Sequence, residues 1–428
     1  MESGLTEIFK DKRVLIAGYG REGRSTHALL RTLGCAREIV VVEGNEAIRN
    51  AAANDSFDLI MKSPGVPMSV FDGIEVEHRV SSQTDVFLRC FAQQTIGITG
   101  TKGKSTTTSL IYHILRAYSD NVLLAGNIGI PLFEVIPDID AQTLIVCELS
   151  CHQLEILTRS PHVGVCLNLY QEHLDHYRSY EDYQLAKLNM ALRQGKDDYF
   201  YYCSESEDLR LMMTHILPRV VSHVETYGGA DVARWQHASP QLVGRHNWLN
   251  AEVAARVARM MGINDSDIEK AMLNFNGLEH RMEYVCTKHG IRFYNDSIST
   301  IPASCMAAVE ALCEVDTLVL GGNDRGIDYT PLAAYLTDTA TKGWAVRNIA
   351  FVGKAGRRMW ELCTQSLRWR EHHHVLLSDD YHEIVDWCFG STRQDAVCLL
   401  SPAASSYDMF KNFEERGHLF KQLITEHA

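Results

Sequence analysis

The residues most able to do chemistry lie in Gly97-Ile-Thr-Gly100-Thr-Lys102-Gly103-Lys104-Ser105-Thr106. Glycines at this spacing let successive backbone N–H groups turn inward around phosphate oxygens. Lys104 adds a point charge, and the Ser105 hydroxyl is of the type that ligates Mg²⁺. Ile98 stands where the strict phosphate-loop pattern has its first glycine, so the stretch is a T-G-T-x-G-K-S-T variant. The chemistry it predicts is binding of ATP through Gly100, Thr101, Lys102, Gly103, Lys104, Ser105 and Thr106.

Other groups could serve the same phosphates. Glu148 ends the apolar run Thr143-Leu-Ile-Val-Cys-Glu148, and a carboxylate at a strand's C-terminal end is well placed to hold Mg²⁺. A helix N-terminal charge is the plain alternative. Glu172-His173-Leu-Asp175-His176 follows another strand-like run, and His173 could take a metal through a ring nitrogen. Lys187 lies in a helical pattern beginning near Glu181, where a lysine is ordinarily solvated. Cys147, Cys151 and His152 are spaced C-x-x-x-C-H without a second pair, which reads as buried thiols and not zinc. His372, His373 and His374 read as a loop entering a strand.

The elements that must position these groups form three α/β segments. In the first, Lys12-Arg-Val-Leu-Ile-Ala-Gly18 reads as a buried strand entering Gly18-Tyr-Gly20-Arg21-Glu22-Gly23, then a helix to Leu33 and the strand Glu38–Glu43. That βαβ unit carries G-x-G-x-x-G with an acid about 20 positions on, as nicotinamide proteins do, although any nucleotide diphosphate suits such a helix N-terminus. Asp58–Lys62 reads as a strand running into the stiff turn Ser63-Pro64-Gly65. In the second segment, strands at Thr95–Thr99, Asn121–Ala125, Thr143–Glu148 and Val163–Asn168 alternate with helices, which implies a mostly parallel sheet. The polar stretch Ser204–Pro240 reads as irregular strands, and a helix from Asn247 to Met261 ends at Gly262. In the third, strands are expected at Ile291–Tyr294, Asp316–Leu320, Asn348–Val352, His374–Leu377 and Ala396–Leu400.

The totals agree with a multidomain globular protein. A chain of 428 residues exceeds one compact core, and 46% hydrophobic with 22% charged residues is an ordinary balance. The net charge of −13 argues against a general nucleic-acid binder. Twelve scattered cysteines, no apparent signal peptide and no long apolar span point to a cytoplasmic, reduced protein without a membrane segment.

Taken in order, T-G-T-x-G-K-S-T, Gly126-Asn127-Ile-Gly129-x-Pro131, Glu148-Leu-Ser, Glu172-His173-Leu-Asp175 and Gly244-Arg-His-Asn247-x-x-Asn250 resemble the Mur ligases, which make amide bonds on the peptidoglycan precursor. The C-terminal strings Leu278-Glu-His-Arg281-Met-Glu, Asn295-Asp296-Ser297, Leu320-Gly-Gly-Asn-Asp-Arg325-Gly and Ser401-Pro-Ala-Ala-Ser-Ser406 through Phe413-x-x-Arg416-Gly417 are similar to members that add D-glutamate to UDP-N-acetylmuramoyl-L-alanine. The resemblance implies three domains: residues 1–92, Rossmann-like, for the UDP substrate; 93–277, with the phosphate loop, for ATP; and 278–428, Rossmann-like, for the amino acid and for clamping ATP. It also implies that the first glycine motif serves a UDP-sugar and not NAD.

By the same resemblance, Lys104 holds phosphates while Ser105 and Glu148 hold one Mg²⁺. His173 and a carbamylated Lys187 hold a second Mg²⁺. Asn250, Arg281 and Asp296 contact ATP. Gly20, Arg21, Glu22, Gly23, Asn45, Ser63, Asn127 and His173 contact the UDP substrate, and Thr300, Arg325, Ser406 and Phe413 contact D-glutamate. The enzyme so implied acts as a monomer. Three departures from the pattern bear on the contacts: Ile298 follows Asn-Asp-Ser where lysine is common, Arg325 stands for lysine, and Lys102 for asparagine. The alternatives are a related Mur-type or folylpolyglutamate-type ligase adding another amino acid, an NAD dehydrogenase, and a regulatory nucleotide-binding module without catalysis. The presence of Lys104, Glu148, His173 and Lys187 weighs against the last.

Overall fold

The computed structural model describes the chain apart from residues 1, 55, 129, 173–175, 240, 241, 243, 339–345, 367, 368, 370–372 and 428. It folds as two compact units, one of Met1–Trp235 with Arg245–Met272, the other of Gln236–Gly244 with Leu273–Ala428.

The first unit holds two parallel sheets. Short apolar runs make β1 (Arg13–Ala17), β2 (Glu38–Val42), β3 (Leu59–Lys62) and β4 (Val80–Ser81), ordered β2-β1-β3-β4. The second sheet contains β5 (Thr95–Thr99), β6 (Val122–Gly126), β7 (Leu144–Glu148), β8 (Val163–Cys166), β9 (Tyr199–Cys203) and β10 (His223–Tyr227). Its order is β10-β9-β8-β5-β7-β6. β5 is buried along its whole length, as a central parallel strand covered on both faces must be. The chain runs outward from β5 to β6 and then returns to β8 on its other side, so the crevice for a ligand lies beyond the carboxyl ends of β5 and β8.

The second unit has one sheet, ordered β11-β12-β16-β13-β14-β15. Its strands are β11 (Glu283–Lys288), β12 (Ile291–Asn295), β13 (Val315–Gly321), β14 (Asn348–Val352), β15 (His374–Leu377) and β16 (Val397–Leu400). Only β11 is antiparallel, paired to β12 across the tight turn at His289 and Gly290, both with positive φ. Here the order in which strands are added reverses between the parallel neighbours β13 and β16.

Two sequence readings change. The stretch Ser204–Pro240, read as irregular strands, contains the helix Glu207–Ile216 and the single strand β10. Leu209, Met213 and Ile216 bury one face of that helix, a 3.6-residue period that its polar neighbours mask. β9 and β11 were not anticipated and complete their sheets. Among the described residues no helix is long and apolar enough to cross a membrane.

The first turn of the chain requires glycine at one position more than another. A Cβ on Gly23 would collide with the Gly18 carbonyl oxygen, whereas a Cβ on Gly20 would meet no protein atom within 4 Å. Gly23→Ala is therefore expected to lose roughly 1–3 kcal/mol in urea unfolding, with Gly20→Ala nearly neutral. Equal losses would contradict this packing.

Candidate active site

The phosphate loop leaves β5 at Thr99 and enters the helix Lys104–Arg116. Gly103 occupies the helix N-cap in the left-handed region (φ 83°), and no side chain caps the helix there. The loop is fastened to the segment after β8. Thr101 N donates to Asn168 O at 3.0 Å, and Lys102 N donates to Asn168 Oδ1 at 2.8 Å. The Thr101 hydroxyl pairs with the Tyr183 hydroxyl at 2.8 Å.

Two lysines converge on one carbonyl. Lys104 Nζ donates to Gly100 O at 3.0 Å and to Thr101 O at 3.0 Å. Lys187 Nζ donates to the same Gly100 O at 3.0 Å. Lys187 lies on the helix Tyr180–Leu192 but points inward, only 2% exposed, with its ammonium 5.0 Å from the Tyr183 ring centre. Burial, and then the Lys104 cation, push its pKa down to about 8. The solvated lysine ordinarily expected on a helix is absent here. Nothing local marks this position, because its partners lie 83 and 87 residues earlier in the chain.

Glu148 is the last residue of β7 and is 2% exposed. Its Oε1 accepts from Asn127 Nδ2 at 2.6 Å, while its Oε2 is buried and, among the described residues, has no hydrogen-bond partner. An orphaned buried carboxylate oxygen is costly unless a cation meets it. The donor set of a carboxylate, a serine hydroxyl and loop oxygens suits a hard, oxygen-seeking cation such as Mg²⁺. His173, the remaining metal-ligand expectation, lies outside the described residues.

Asn250 is also buried, on the helix Arg245–Met260. Its amide donates to Asn247 Oδ1 at 3.1 Å, and its Oδ1 would lie 3.0 Å from a Cβ on Gly103. The asparagine thus packs on the phosphate loop itself. Lys102 is exposed and forms an ion pair with Glu172. Ser105 and Thr106 are half-buried in the first helical turn.

At the first sheet, Ser63 Oγ donates to Gly18 O at 2.8 Å, tying the ends of β1 and β3. Arg21 and Asn45 are exposed at the starts of their helices. Arg21 and Arg24, with Ile130, Pro131 and Glu134, line a cavity of about 340 Å³. Glu22 turns the other way: its Oε1 accepts from Gln153 Nε2 at 2.7 Å, and its Oε2 is buried with no hydrogen-bond partner among the described residues. Gln153 also caps the helix after β7, its Oε1 accepting from Ser150 N at 2.9 Å. One amide thus links the glycine turn of the first sheet to the strand that carries Glu148. Lys62, buried beside it, donates to Val66 O at 2.9 Å and pairs with Glu155 at 3.2 Å. Neither Gln153 nor the Lys62–Glu155 pair was singled out from sequence, since their partners are distant in the chain.

In the second unit, the turn before β11, the loops after β12, β13 and β16, and the start of the helix Phe413–Glu426 carry the remaining expected residues. Asp296 is buried, its Oδ2 accepting from Ser401 Oγ at 2.8 Å and its Oδ1 from Met282 N at 3.1 Å. Burial raises its carboxyl to about 6 against those hydrogen bonds. Arg281 sits between His280 and Met282, two non-glycine residues with positive φ (64° and 46°), in a strained turn of the sort found at ligand sites. Ser406 is buried, Thr300 and Phe413 are half-buried, and Arg325 is exposed.

Glu279, His280 and His418 lie close enough to share a metal ion, yet the hydrogen bonds oppose it. Asn295 Oδ1 accepts from Ser297 N, so its amide nitrogen faces His280 Nδ1 at 2.9 Å. That leaves His280 Nδ1 the acceptor and puts the proton on Nε2, the atom a metal would need. Lys421 Nζ already holds Glu279 at 2.7 Å.

A strand, a glycine turn at a helix N-terminus and a buried carboxylate beside it define a phosphate-binding α/β protein. Comparison with known proteins narrows the class. The model of the Mur ligase middle domain matches residues 98–258. A UDP-N-acetylmuramoylalanine--D-glutamate ligase of Desulfitobacterium hafniense (strain DSM 10664 / DCB-2) is 31% identical over 458 aligned positions, 98% of either chain. One of the same name from Geotalea uraniireducens (strain Rf4) is 34% identical, covering 86% of this chain and 83% of its own. Among solved structures, MurF of Acinetobacter baumannii is similar with a TM-score of 0.59 at 16% identity, over 80% of this chain and 79% of its own. UDP-N-acetylmuramate-alanine ligase MurC of Thermotoga maritima gives 0.55 at 16%, over 97% and 100%. The chain belongs to the Mur ligase family.

The Glu22 carboxyl offers a pH test. Burial raises it from 4.5 to about 7, so ionising it costs more in the folded protein than in the unfolded one. Stability from this group therefore falls as pH rises from about 4.5 to about 7. Glu22→Gln should be more stable than the parent by on the order of 1–3 kcal/mol at pH 8, the gap closing near pH 4.5. Paired melting curves across that range check it; a gap that widens on acidification would contradict the burial.

Proposed function

We propose that this Mur ligase joins D-glutamate to UDP-N-acetylmuramoyl-L-alanine at the cost of ATP, with Mg²⁺. The residues 1–92 take the UDP substrate, 93–277 the nucleotide, and 278–428 the amino acid. The named relatives support the choice of substrates, since both carry the D-glutamate ligase name. One observation carries the phosphoryl chemistry: Glu148 Oε2, without a hydrogen-bond partner among the described residues, is buried at the end of the strand paired with β5, whose phosphate loop already holds two lysines.

A carboxylate has a poor leaving group, and transfer of the ATP γ-phosphoryl to it gives an acyl phosphate. The amine of D-glutamate then attacks, and the tetrahedral intermediate expels phosphate. No protein nucleophile is needed; binding and charge neutralisation are. The loop amides from Gly100 to Thr106 and Lys104 Nζ hold the β- and γ-phosphates. Mg²⁺ bound at Ser105 and Glu148 would neutralise developing charge. Asn127 keeps Glu148 Oε1 in place, leaving Oε2 toward the cation, and with Gly20, Arg21, Gly23, Asn45 and Ser63 receives the UDP substrate. Asn250, Arg281 and Asp296 contact ATP. Thr300, Arg325, Ser406 and Phe413 receive D-glutamate, where the guanidinium suits a dicarboxylate in a bidentate pair.

Lys187 is the group whose state the site must change. An amine pushed down to about 8 is partly neutral near neutral pH and open to CO₂. Addition of CO₂ with loss of a proton to solvent would give a carbamate, an anionic oxygen ligand that with His173 would hold a second Mg²⁺. A reduced compartment such as the cytoplasm fits the free thiols among the described residues.

Phosphate release should require ATP, Mg²⁺, UDP-N-acetylmuramoyl-L-alanine and D-glutamate together, and not L-glutamate or L-alanine. Release with another amino acid would move the assignment to a different Mur-type or folylpolyglutamate-type ligase; silence with every acceptor would contradict the ligase reading. Lys187→Ala should lower kcat by 10²-fold or more, on the order expected for a lost charge in a phosphoryl-transfer site, and short carboxylic acids should restore part of it. Unchanged turnover would remove Lys187 from the mechanism.

A further inference from the structure

Arg416 belongs to no assignment made so far, yet its buried side chain is bonded through all three of its guanidinium nitrogens. It lies in the first turn of the helix Phe413–Glu426 and is 1% exposed. Nε donates to Ser297 Oγ at 2.9 Å and Nη2 to Ser297 O at 2.8 Å. Nη1 and Nη2 both donate to Ala404 O at 3.2 Å, and Nη1 reaches Gly321 O at 3.4 Å. Ser297 in turn donates through Oγ to Phe413 O at 2.8 Å.

Each of these acceptors is a neutral carbonyl or hydroxyl, and the Asp408 carboxylate acts on the guanidinium through space without one of these hydrogen bonds. Burying a cation in this way is expensive, and such an arrangement is poor evidence for stability as its purpose. What it does accomplish is spatial. Ser297 lies three residues before Thr300, Ala404 two before Ser406, Gly321 four before Arg325, and Phe413 three before Arg416 itself. A rigid planar fork therefore joins the loops after β12, β13 and β16 to the helix start, and each bears one residue proposed to receive D-glutamate.

We propose that Arg416 is the positioning residue of the amino-acid acceptor site, fixing the spacing of its walls through its fork of hydrogen bonds. The inference rests on the D-glutamate ligase reading. Lysine could keep the charge but would satisfy only part of this set of carbonyls from one point, so Arg416→Lys separates the fork from the charge. Ser297→Ala removes one acceptor of the fork and the link to Phe413, while leaving Arg416 in place.

Steady-state phosphate release on the full-length protein, with each substrate varied in turn and melting curves run alongside, tests this. Arg416→Lys should raise KM for D-glutamate on the order of tenfold or more, with KM for UDP-N-acetylmuramoyl-L-alanine within about twofold. Ser297→Ala should shift the same constant in the same direction by less. A folded Arg416→Lys with unchanged D-glutamate KM overturns the proposal. Should that variant fail to melt cooperatively, Ser297→Ala decides: a selective rise supports the proposal, and no rise overturns it. Wild-type release with a different amino acid would refute the substrate reading alone, and the same split would then be read on that acceptor. A wild type silent with all acceptors overturns both.

Discussion

Two ammonium groups share one carbonyl oxygen in this protein, and the nucleotide site is organised around that crowding. Lys104 and Lys187 each reach Gly100 O at 3.0 Å, one from the helix that follows the loop and one from a helix 83 residues further on. Like charges at such range, one of them almost fully buried, disfavour two cations. The arrangement is relieved when phosphate arrives at Lys104, or when Lys187 gives up its proton. Both events belong to the chemistry proposed, so the strain of the resting site is directed toward its use. At the end of the neighbouring strand β7, Glu148 Oε2 is buried without a hydrogen-bond partner among the described residues.

The same logic recurs away from the phosphates. Asp296 is held by Ser401 and a backbone amide while burial lifts its carboxyl to about 6. Glu22 is buried against Gln153, and Lys62 against Glu155. Arg416 is embedded among carbonyls. In each case an ionisable side chain is removed from water just beyond the carboxyl end of a parallel strand or at the start of a helix near one, where loops converge and ligands of such folds bind. A hydrophobic group of similar volume would serve stability better at several of these places. Their common location is what argues for function.

How much of this could be read from the chain divides along one line. The phosphate loop was legible because every part of it is contiguous: β5, the glycines, Lys104 and the helix follow within 22 residues, Thr95–Arg116. Most strands of the parallel sheets were legible for the same reason, as short apolar runs. β11 was missed although a signal existed, for Lys288-His289-Gly290-Ile291 is a tight hairpin turn with positive φ at both central residues. β9 was missed too, despite the aromatic run Tyr199-Phe-Tyr-Tyr. The burial of Lys187 and Asn250 was out of reach, because it is decided by Gly100 and Gly103, both more than 80 residues earlier. Resemblance to a family named those residues; only the packing explains why a lysine and an asparagine are tolerated inside.

The account stands or falls on the chemical state of Lys187. The direct measurement is ¹³C NMR of the protein equilibrated with ¹³C-labelled bicarbonate, with Mg²⁺ and ADP present. A carbamate resonance that disappears in Lys187→Ala, and that strengthens as pH rises through about 8, is the result expected of a neutral amine desolvated beside a second cation. An enzyme that turns over fully after rigorous removal of CO₂, with no such resonance, would show that Lys187 acts as a cation and that the reading of the crowded carbonyl is wrong.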